Sequence, residues 1–210
     1  MSTNNKDKSY ADVSYGDLFD LRGKVAFVTG GAGILGEHFC IGLAESGADV
    51  AIVDLKSERA AEIAKAISKR FDVKALGYGC DVSDPMSVKE TVQEVVKDFG
   101  EINILHNNAA GKSTDLDAFF ASFEEYSLDQ WREIMSVNID GMFLVAQAVG
   151  KQMIKQGIGG SIIQTSSIYG VMAPDNSIYE GSFYLGRQIN TPAVYTASKA
   201  AVIGLTKYLA

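Results

Sequence analysis

The chain has 210 residues, 47% of them hydrophobic, so it is long enough to bury a sizeable core as one domain. Its formal net charge of −7 argues against nucleic acid or an anionic membrane surface as a partner. The first twenty residues lack the apolar segment of a secretory signal, and no apolar run reaches the roughly 20 residues of a membrane span. We therefore expect a soluble cytoplasmic protein with a flexible arm over residues 1–20 and a single domain over residues 21–210.

Short apolar segments alternate with helical segments along the chain. The predicted strands cover residues 25–28, 50–53, 73–80, 102–105 and 161–165, and the predicted helices cover 34–46, 57–70, 85–99 and 127–156. Continuous apolar strands are typical of a parallel sheet that is buried on both faces, with helices as right-handed crossovers. The pattern predicts an α/β fold with a doubly wound parallel sheet of Rossmann type.

The order of elements looks incomplete at the end of the chain. A further helix begins near Tyr195 and would normally lead into a sixth strand, but the sequence stops at Ala210. The fifth strand would then be an apolar edge, which native sheets usually avoid. We therefore expect the sheet to lack its last strands and the functional protein to extend past Ala210.

The two cysteines predict neither a metal site nor a disulfide framework. Cys40 falls in a predicted helix and Cys80 ends a predicted strand. Reduced, buried thiols are the simpler interpretation of two such isolated cysteines. We expect no bound metal ion.

A glycine-rich turn joins the first predicted strand to the first helix. Its glycines are Gly30, Gly33 and Gly36. The helix opens with Ile34 and Leu35. Glycines let a backbone approach a pyrophosphate, which binds against the positive N-terminus of the helix. A plain strand-to-helix turn explains this segment equally well when it is taken alone.

Asp54 ends the second predicted strand, 24 residues after Gly30. A carboxylate at this place can accept hydrogen bonds from the adenosine ribose hydroxyls, and it would repel a 2′-phosphate. Lys56 is close enough to soften that repulsion, although one lysine seldom outweighs a carboxylate aimed at the ribose. The pattern favours NAD over NADP, and the alternative for Asp54 is a solvated strand end.

Tyr195 and Lys199 lie four residues apart and therefore on one face of the last predicted helix. Tyrosine is a poor base at neutral pH because its ordinary pKa is near 10. A neighbouring ammonium favours the phenolate and lowers that pKa. The pair suits the transfer of an alcohol proton, but a Tyr-x-x-x-Lys spacing is weak evidence when it stands alone.

Several motifs follow one another in an order that resembles the short-chain dehydrogenase/reductase family: Gly30 to Gly36, Asn107 to Ala109, Asn138, Ser166 with Ser167, and Tyr195 with Lys199. The resemblance runs from about Asp20 to the last residue. It implies an NAD-dependent oxidoreductase that interconverts a secondary alcohol and a ketone. The sequence departs from the family pattern at Ile34 and Ala110, where glycines are usual.

The resemblance also implies a role for each motif residue. In the family the tyrosine is the acid/base, the lysine also binds the nicotinamide ribose, the serine orients the substrate oxygen, and the asparagine serves a proton relay through water. The catalytic residues would be Asn138, Ser167, Tyr195 and Lys199, with Ser166 as the alternative serine. The cofactor-binding residues would be Gly30, Gly33, Ile34, Leu35, Gly36, Asp54, Asp81, Val82, Asn108, Tyr195 and Lys199.

A long segment separates Ser167 from Tyr195, at about twice the usual family spacing. The extra residues, about 173–191, should lie over the active-site mouth because both ends of the segment are anchored there. Their hydrogen-bonding groups favour a polyhydroxylated substrate, such as a sugar acid or polyol, and Arg187 could pair with a carboxylate. A surface loop or an oligomer contact is the alternative interpretation.

Other functions stay open at this point. A nucleotide-binding sensor could keep the same fold without turnover, and the glycine spacing slightly favours an extended-type epimerase or dehydratase. We expect no long C-terminal substrate domain of the kind that the latter enzymes use. By analogy with the family we expect a homodimer or homotetramer. His38, His106, Trp131 and Met135 are predicted to serve packing.

Overall fold

The computed structural model describes residues 15–111, 113 and 115–210, and its centre is a five-stranded parallel sheet flanked by helices. The strands are β1 (Val25–Thr29), β2 (Asp49–Asp54), β3 (Ala75–Gly79), β4 (Ile104–Asn107) and β5 (Ser161–Gln164). Their spatial order is β3-β2-β1-β4-β5, and every neighbouring pair is parallel. The predicted doubly wound α/β fold is confirmed.

The helices alternate with the strands along the chain. They are α1 (Ile34–Glu45), α2 (Ser57–Arg70), α3 (Pro85–Phe99), α4 (Leu116–Phe119), α5 (Leu128–Met135), α6 (Met142–Gln156) and α7 (Ala193–Leu209). Residues 1–14 of the predicted arm lie outside the described residues. The next five residues, Tyr15–Phe19, form a 3₁₀ helix.

Alternate residues of β2 enter two hydrophobic cores on opposite faces of the sheet. Ala51 and Val53 belong to the core that α3 and α6 cover, whereas Val50 and Ile52 belong to the core that α1 and α2 cover. All four side chains are fully buried. Both faces of such a strand are buried, so its residues are apolar at every position and do not alternate with polar ones. This continuous apolar pattern is the one from which the sequence predicts a central strand.

The start of β4 lies two residues later than the sequence pattern predicts. Asn103 occupies the position before it, where its backbone N–H donates to Val25 O and its Oδ1 accepts from Val25 N at 2.7 Å. The amide side chain thus takes over one hydrogen bond that a strand residue would make with its backbone. Strand β3 is likewise shorter than predicted, at Ala75–Gly79.

The predicted helix over 127–156 is interrupted by a π-helical turn. Ser127 caps α5, because its Oγ accepts a hydrogen bond from Gln130 N at 3.1 Å. Between α5 and α6 the backbone widens into the π-helical segment Ser136–Gly141. Such turns occur frequently at functional sites, and Asn138 lies inside this one.

Strand β5 forms one edge of the sheet and pairs with β4. Its Ile163 is half-exposed, in agreement with the predicted apolar edge. Both cysteines are buried and unpaired, and burial raises the pKa of the Cys40 thiol to about 12. Within the described residues no helix has the length and apolar character that a membrane span requires.

The segment between Ser167 and Tyr195, called the insert below over residues 173–191, has its own local structure. It contains a 3₁₀ turn, Asn176–Tyr179, and a short hairpin of β6 (Phe183–Tyr184) and β7 (Arg187–Gln188). Leu185 and Gly186 connect the hairpin strands with φ values of 50° and 80°. Two positive φ values in a two-residue loop match the right-handed twist of hairpin strands.

The packing of β3 on α2 yields a stability prediction for Gly77. A Cβ at this position would lie 2.3 Å from Ala61 N and 2.4 Å from Ala60 C, which are backbone atoms that cannot rotate away. We expect Gly77→Ala to lower the free energy of unfolding by about 2 kcal/mol or more, because the helix must move off the strand. Urea unfolding followed by circular dichroism measures the change.

Gly42→Ala is the matched control for this substitution. Gly42 lies inside α1 with open space around an added Cβ. Alanine there should raise the free energy of unfolding by about 0.5–1 kcal/mol, because it restricts the unfolded chain and favours the helix. Equal unfolding midpoints for the two variants would contradict the proposed steric constraint.

Candidate active site

The turn between β1 and α1 is compressed so tightly that two of its positions require glycine. Gly30 has φ +61°, and a Cβ there would lie 2.9 Å from Ala109 Cα. A Cβ on Gly36 would lie 2.0 Å from Gly30 O. Side chains at these positions would push the turn away from the β4 loop and from α1.

The N-terminus of α1 is open to solvent at this turn. Gly33 is its N-cap residue and supplies no side-chain cap, and the side chains of Ile34 and Leu35 are exposed. The first amides of a helix lack intrahelical partners and attract anions. A glycine cradle beneath uncapped amides fits the pyrophosphate of a dinucleotide.

Asp54 is held beside this cradle by two backbone amides. Its Oδ2 accepts from Ala32 N and its Oδ1 accepts from Lys56 N, both at 3.0 Å. A carboxylate can accept about four hydrogen bonds, so capacity is left for two ribose hydroxyls. The structure thus fixes the carboxylate at the end of β2, where the sequence predicts a ribose contact.

The side chains of Asp81 and Val82, which follow β3, are engaged mainly in contacts within the chain. Asp81 Oδ1 accepts hydrogen bonds from Ser83 N at 2.9 Å and Ser83 Oγ at 2.6 Å, which folds the carboxylate into its own turn. Val82 is buried and packs against the backbone of Gly141, where a Cβ would lie 2.8 Å from Val82 Cγ2. The Val82 side chain therefore packs in the core. Only the backbone of Val82 is left to contact the adenine ring of a dinucleotide.

Thr29 organises the loop after β4, and it is not among the residues that the sequence predicts to be functional. It is fully buried. Its Oγ1 donates to Asn107 Oδ1 at 3.1 Å and accepts from Asn108 N at 2.9 Å and Ala109 N at 3.0 Å. Asn107 Nδ2 also donates to Met142 O at 2.8 Å. A polar residue that closes an apolar strand just before a glycine turn is the signal that could have identified Thr29.

Asn138 connects three parts of the site from inside the π-helical turn. It is fully buried, its Oδ1 accepts from Gly111 N at 2.8 Å, and its Nδ2 donates to Ser198 Oγ at 3.4 Å. Ser198 Oγ in turn donates to Tyr195 O at 2.9 Å. Asn138 therefore links the β4 loop to the helical turn that carries Tyr195.

Tyr195 and Lys199 share one face of α7, as their spacing predicts. Lys199 is buried, its Nζ donates to Thr165 O at 3.0 Å, and it lies 5.9 Å from the centroid of the Tyr195 ring. Burial lowers the pKa of Lys199. The Thr165 carbonyl, just after β5, thus holds the Lys199 ammonium near Tyr195. Two N–H donors of the ammonium remain for other partners.

The two serines after β5 have different environments. Ser166 Oγ donates to Lys199 O at 2.7 Å, so its proton is engaged by the backbone of α7. Ser167 Oγ accepts from Tyr169 N at 3.2 Å and donates its own proton to none of the described residues. This difference favours Ser167, the preferred serine of the sequence analysis, for contact with a substrate oxygen.

The insert is anchored to the α4 region by two contacts. Arg187 forms a two-bond ion pair with Asp117, with Nη2 to Oδ2 at 2.9 Å, and Asn190 Nδ2 donates to Phe120 O at 2.9 Å. The Arg187 guanidinium, which the sequence offers to a substrate carboxylate, is therefore bound to a carboxylate of the chain itself. Its structural role is to fasten the β6–β7 hairpin.

A cavity of about 1080 Å³ lies between the insert, the segment after α4 and the start of α7. The sequence predicts the insert over the active-site mouth, but neither Ser167 nor Tyr195 lines this cavity, so part of the insert covers space beside the reacting groups. The lining is aromatic and polar, and includes Phe120, Tyr126, Trp131, Asn190, Thr191 and Thr196.

Three of the four residues predicted to serve packing do so, Met135 among them at the cluster around Phe119, whereas His38 is exposed on α1. The His106 ring lies 4.2 Å from that of Phe39, its Nε2 is 3.2 Å from Thr165 Oγ1, and burial lowers its pKa. Trp131 packs against the cluster of Phe119, Ile134 and Val194. In the described part of the chain, no group of His, Cys, Asp and Glu side chains is arranged to hold a metal ion.

Comparison with known proteins identifies relatives along most of the chain. Sorbose reductase of Candida albicans is 36% identical over 196 residues, which cover 92% of this chain and 62% of the relative. The 2-dehydro-3-deoxy-D-gluconate 5-dehydrogenase of Dickeya dadantii is 37% identical over 195 residues, covering 92% and 67%. NADP-dependent mannitol dehydrogenase of Alternaria alternata is 36% identical over 200 residues, covering 92% and 66%.

A solved structure and a family model give the same assignment. The structure of NAD⁺-bound xylitol dehydrogenase matches with a TM-score of 0.77 at 34% identity, covering 90% of this chain and 65% of that one. This chain spans 62–67% of the length of these proteins. Residues 24–210 match the family model for short chain dehydrogenase. The chain therefore belongs to the short-chain dehydrogenase/reductase family.

Proposed function

We propose that residues 21–210 are the NAD-binding domain of an oxidoreductase that interconverts a secondary alcohol and a ketone. The observation that carries this proposal is the placement of Tyr195 and Lys199 on one face of α7, with the buried Lys199 ammonium directed by Thr165 O. Ser167, with an uncommitted hydroxyl proton, follows the same strand end. These groups supply a proton acceptor, a cation beside it and a donor for the substrate oxygen.

NAD, when bound, supplies the hydride acceptor, and the side chains of the chain handle the proton. Tyr195 takes the proton of the alcohol, and the Lys199 ammonium favours the phenolate that this requires. Because Lys199 is buried, water screens its charge less than it would at the surface. The Ser167 hydroxyl donates to the substrate oxygen and stabilises the charge that develops on it.

In this proposal Asn138 acts mainly by holding α7, and therefore Tyr195, in place. Its two hydrogen bonds, to Gly111 N and Ser198 Oγ, fix α7 relative to the β4 loop. A shift of this helix would move Tyr195 relative to the cofactor, and small displacements of reacting groups are costly for rate. The proton relay through water that the family resemblance implies for Asn138 remains part of the proposal.

The proposed cofactor is NAD, on the basis of Asp54. Its carboxylate is fixed by two amides and retains acceptors for the ribose hydroxyls, whereas a 2′-phosphate would meet a negative charge. Relatives differ in this respect, since the mannitol dehydrogenase is NADP-dependent and the xylitol dehydrogenase structure is NAD⁺-bound. Gly30, Gly33, Gly36 and the first amides of α1 would hold the pyrophosphate.

The proposed substrate is a polyol or a sugar acid. Two of the relatives act on sorbose and mannitol, and a third acts on 2-dehydro-3-deoxy-D-gluconate, as their names state. The polar side chains of the insert are consistent with a substrate that carries several hydroxyl groups. We further propose a homodimer or homotetramer, the assembly that the family resemblance implies.

Replacing Tyr195 by phenylalanine tests the acid/base assignment. We expect the turnover of polyols to fall by about 10²–10⁴-fold, because the proton acceptor is removed, while NADH binding is retained. Absorbance at 340 nm measures turnover, and the fluorescence of bound NADH measures binding. Tyr208→Phe, at an 86% exposed position near the end of α7, is the control and should leave both unchanged. Full turnover in Tyr195→Phe would favour another acid/base.

Replacing Asp54 by asparagine tests the cofactor assignment. The substitution removes the charge that opposes a 2′-phosphate, and the amide retains only one oxygen for the two backbone donors. We expect the ratio of NADPH affinity to NADH affinity to rise about tenfold, which corresponds to about 1.4 kcal/mol. Fluorescence titration with each nucleotide measures the ratio.

Asp72→Asn provides the control for the Asp54 substitution, because Asp72 is an exposed acid between α2 and β3. It makes the same change in net charge without touching the proposed nucleotide site. If both variants changed the nucleotide ratio equally, the effect would come from net charge, and Asp54 would lose its assigned role.

A further inference from the structure

We propose that Tyr169, Tyr179 and Thr191 form a hydroxyl chain that determines specificity for polyhydroxylated substrates, with Tyr169 as the member that meets the substrate. This inference rests on the proposed function, since it assigns residues to the recognition of the same substrate class. The three residues lie outside the catalytic and cofactor-binding sets described above. Two of them are supplied by the insert.

Tyr169 is held firmly next to the reacting groups. It lies in the 3₁₀ turn Ile168–Gly170, and its backbone N–H donates to Ser167 Oγ. The same turn is pressed against α7, since a Cβ on Gly170 would lie 2.6 Å from Lys199 O. The backbone of Tyr169 is therefore fixed between the candidate substrate serine and the helix that carries Tyr195.

The insert places a second phenol against the first. Asp175 caps the 3₁₀ turn Asn176–Tyr179 by accepting from Ser177 N at 3.0 Å. Tyr179 Oη then lies 3.2 Å from Tyr169 Oη and 2.9 Å from Thr191 Oγ1. The hydroxyl chain thus joins the residues before the insert to the residue at its end.

The hydroxyl chain has hydrogen-bonding capacity to spare. Three hydroxyl groups carry three protons, and the two internal hydrogen bonds use two of them. Either oxygen of each pair can be the donor, so the chain can present a proton or a lone pair at its Tyr169 end. A sugar hydroxyl both donates and accepts, and therefore matches either direction, whereas an apolar group would leave one of these sites unpaired.

The surroundings of Tyr169 favour its neutral phenol. Its pKa is raised by the hydrogen bond to Tyr179, by burial, and by the fields of Tyr179, Asp175 and Tyr195. The Tyr169 hydroxyl therefore keeps its proton at neutral pH and is available for hydrogen bonding.

The test compares Tyr179→Phe with wild type on substrates that differ in hydroxyl number. The probes are 2-propanol, D-threitol, xylitol and D-mannitol with NAD, followed at 340 nm. We expect KM for the polyols to rise about 3- to 10-fold, because both hydrogen bonds of the hydroxyl chain involve Tyr179 Oη and the Tyr169 hydroxyl then loses its partner. We expect kcat to be retained and kcat/KM for 2-propanol to change less than about 2-fold.

Two further variants test whether the effect belongs to the hydroxyl chain. Tyr169→Phe should reproduce the selective loss on polyols, and Tyr208→Phe should leave every substrate unchanged. An equal loss on 2-propanol and on the polyols would mean that Tyr179 only supports the structure of the insert. No loss on any substrate would equally overturn the proposal.

Binding measured without turnover separates this inference from the proposed function. In a Tyr195→Phe background with NAD present, calorimetry gives the Kd of each polyol with and without Tyr179→Phe. If polyols bind with an affinity that depends on Tyr179 but wild type does not oxidise them, the oxidoreductase proposal fails and the specificity element stands. If no polyol binds to either protein, the specificity proposal fails.

Discussion

The hydroxyl of Thr29 holds together the two strand ends on which the rest of the site depends. The order of strands reverses between β1 and β4, and such switch points are where open α/β sheets bind their ligands. Thr29 donates to Asn107 and accepts from two amides of the following loop, so one buried side chain fixes both ends. The same arrangement brings Gly30 so close to Ala109 that an added Cβ would lie 2.9 Å from Ala109 Cα.

Hydrogen bonds at neighbouring positions of helix α7 fix this helix, and with it the reacting groups, to the rest of the site. Ser166 Oγ donates to Lys199 O, Lys199 Nζ donates to Thr165 O, and Ser198 Oγ joins Asn138 to Tyr195 O. Burying an ammonium against a neutral carbonyl costs free energy, since the charged form is poorly solvated there. That cost is consistent with a functional site, where stabilising a phenolate matters more than folding stability.

The sequence predicts the parts of this structure that local chemistry determines. The apolar strands and the glycine turn are each specified by neighbouring residues, and each appears at or near the predicted position. The π-helical turn around Asn138 escapes prediction because a single wide turn barely disturbs the apolar periodicity of α5 and α6. The Arg187–Asp117 pair escapes it because the two residues are 70 positions apart.

Two separate sets of contacts hold the insert. The ion pair between Arg187 and Asp117 is exposed on both sides, and such pairs contribute only about 0–1 kcal/mol. The second set is the half-buried hydroxyl chain, which joins Tyr179 and Thr191 of the insert to Tyr169. Tyr169 itself lies in the turn that Gly170 packs on α7. The contacts that hold the β6–β7 hairpin on the α4 region are therefore distinct from those that hold Tyr169 beside Ser167. A substitution in one set can be tested without removing any hydrogen bond of the other.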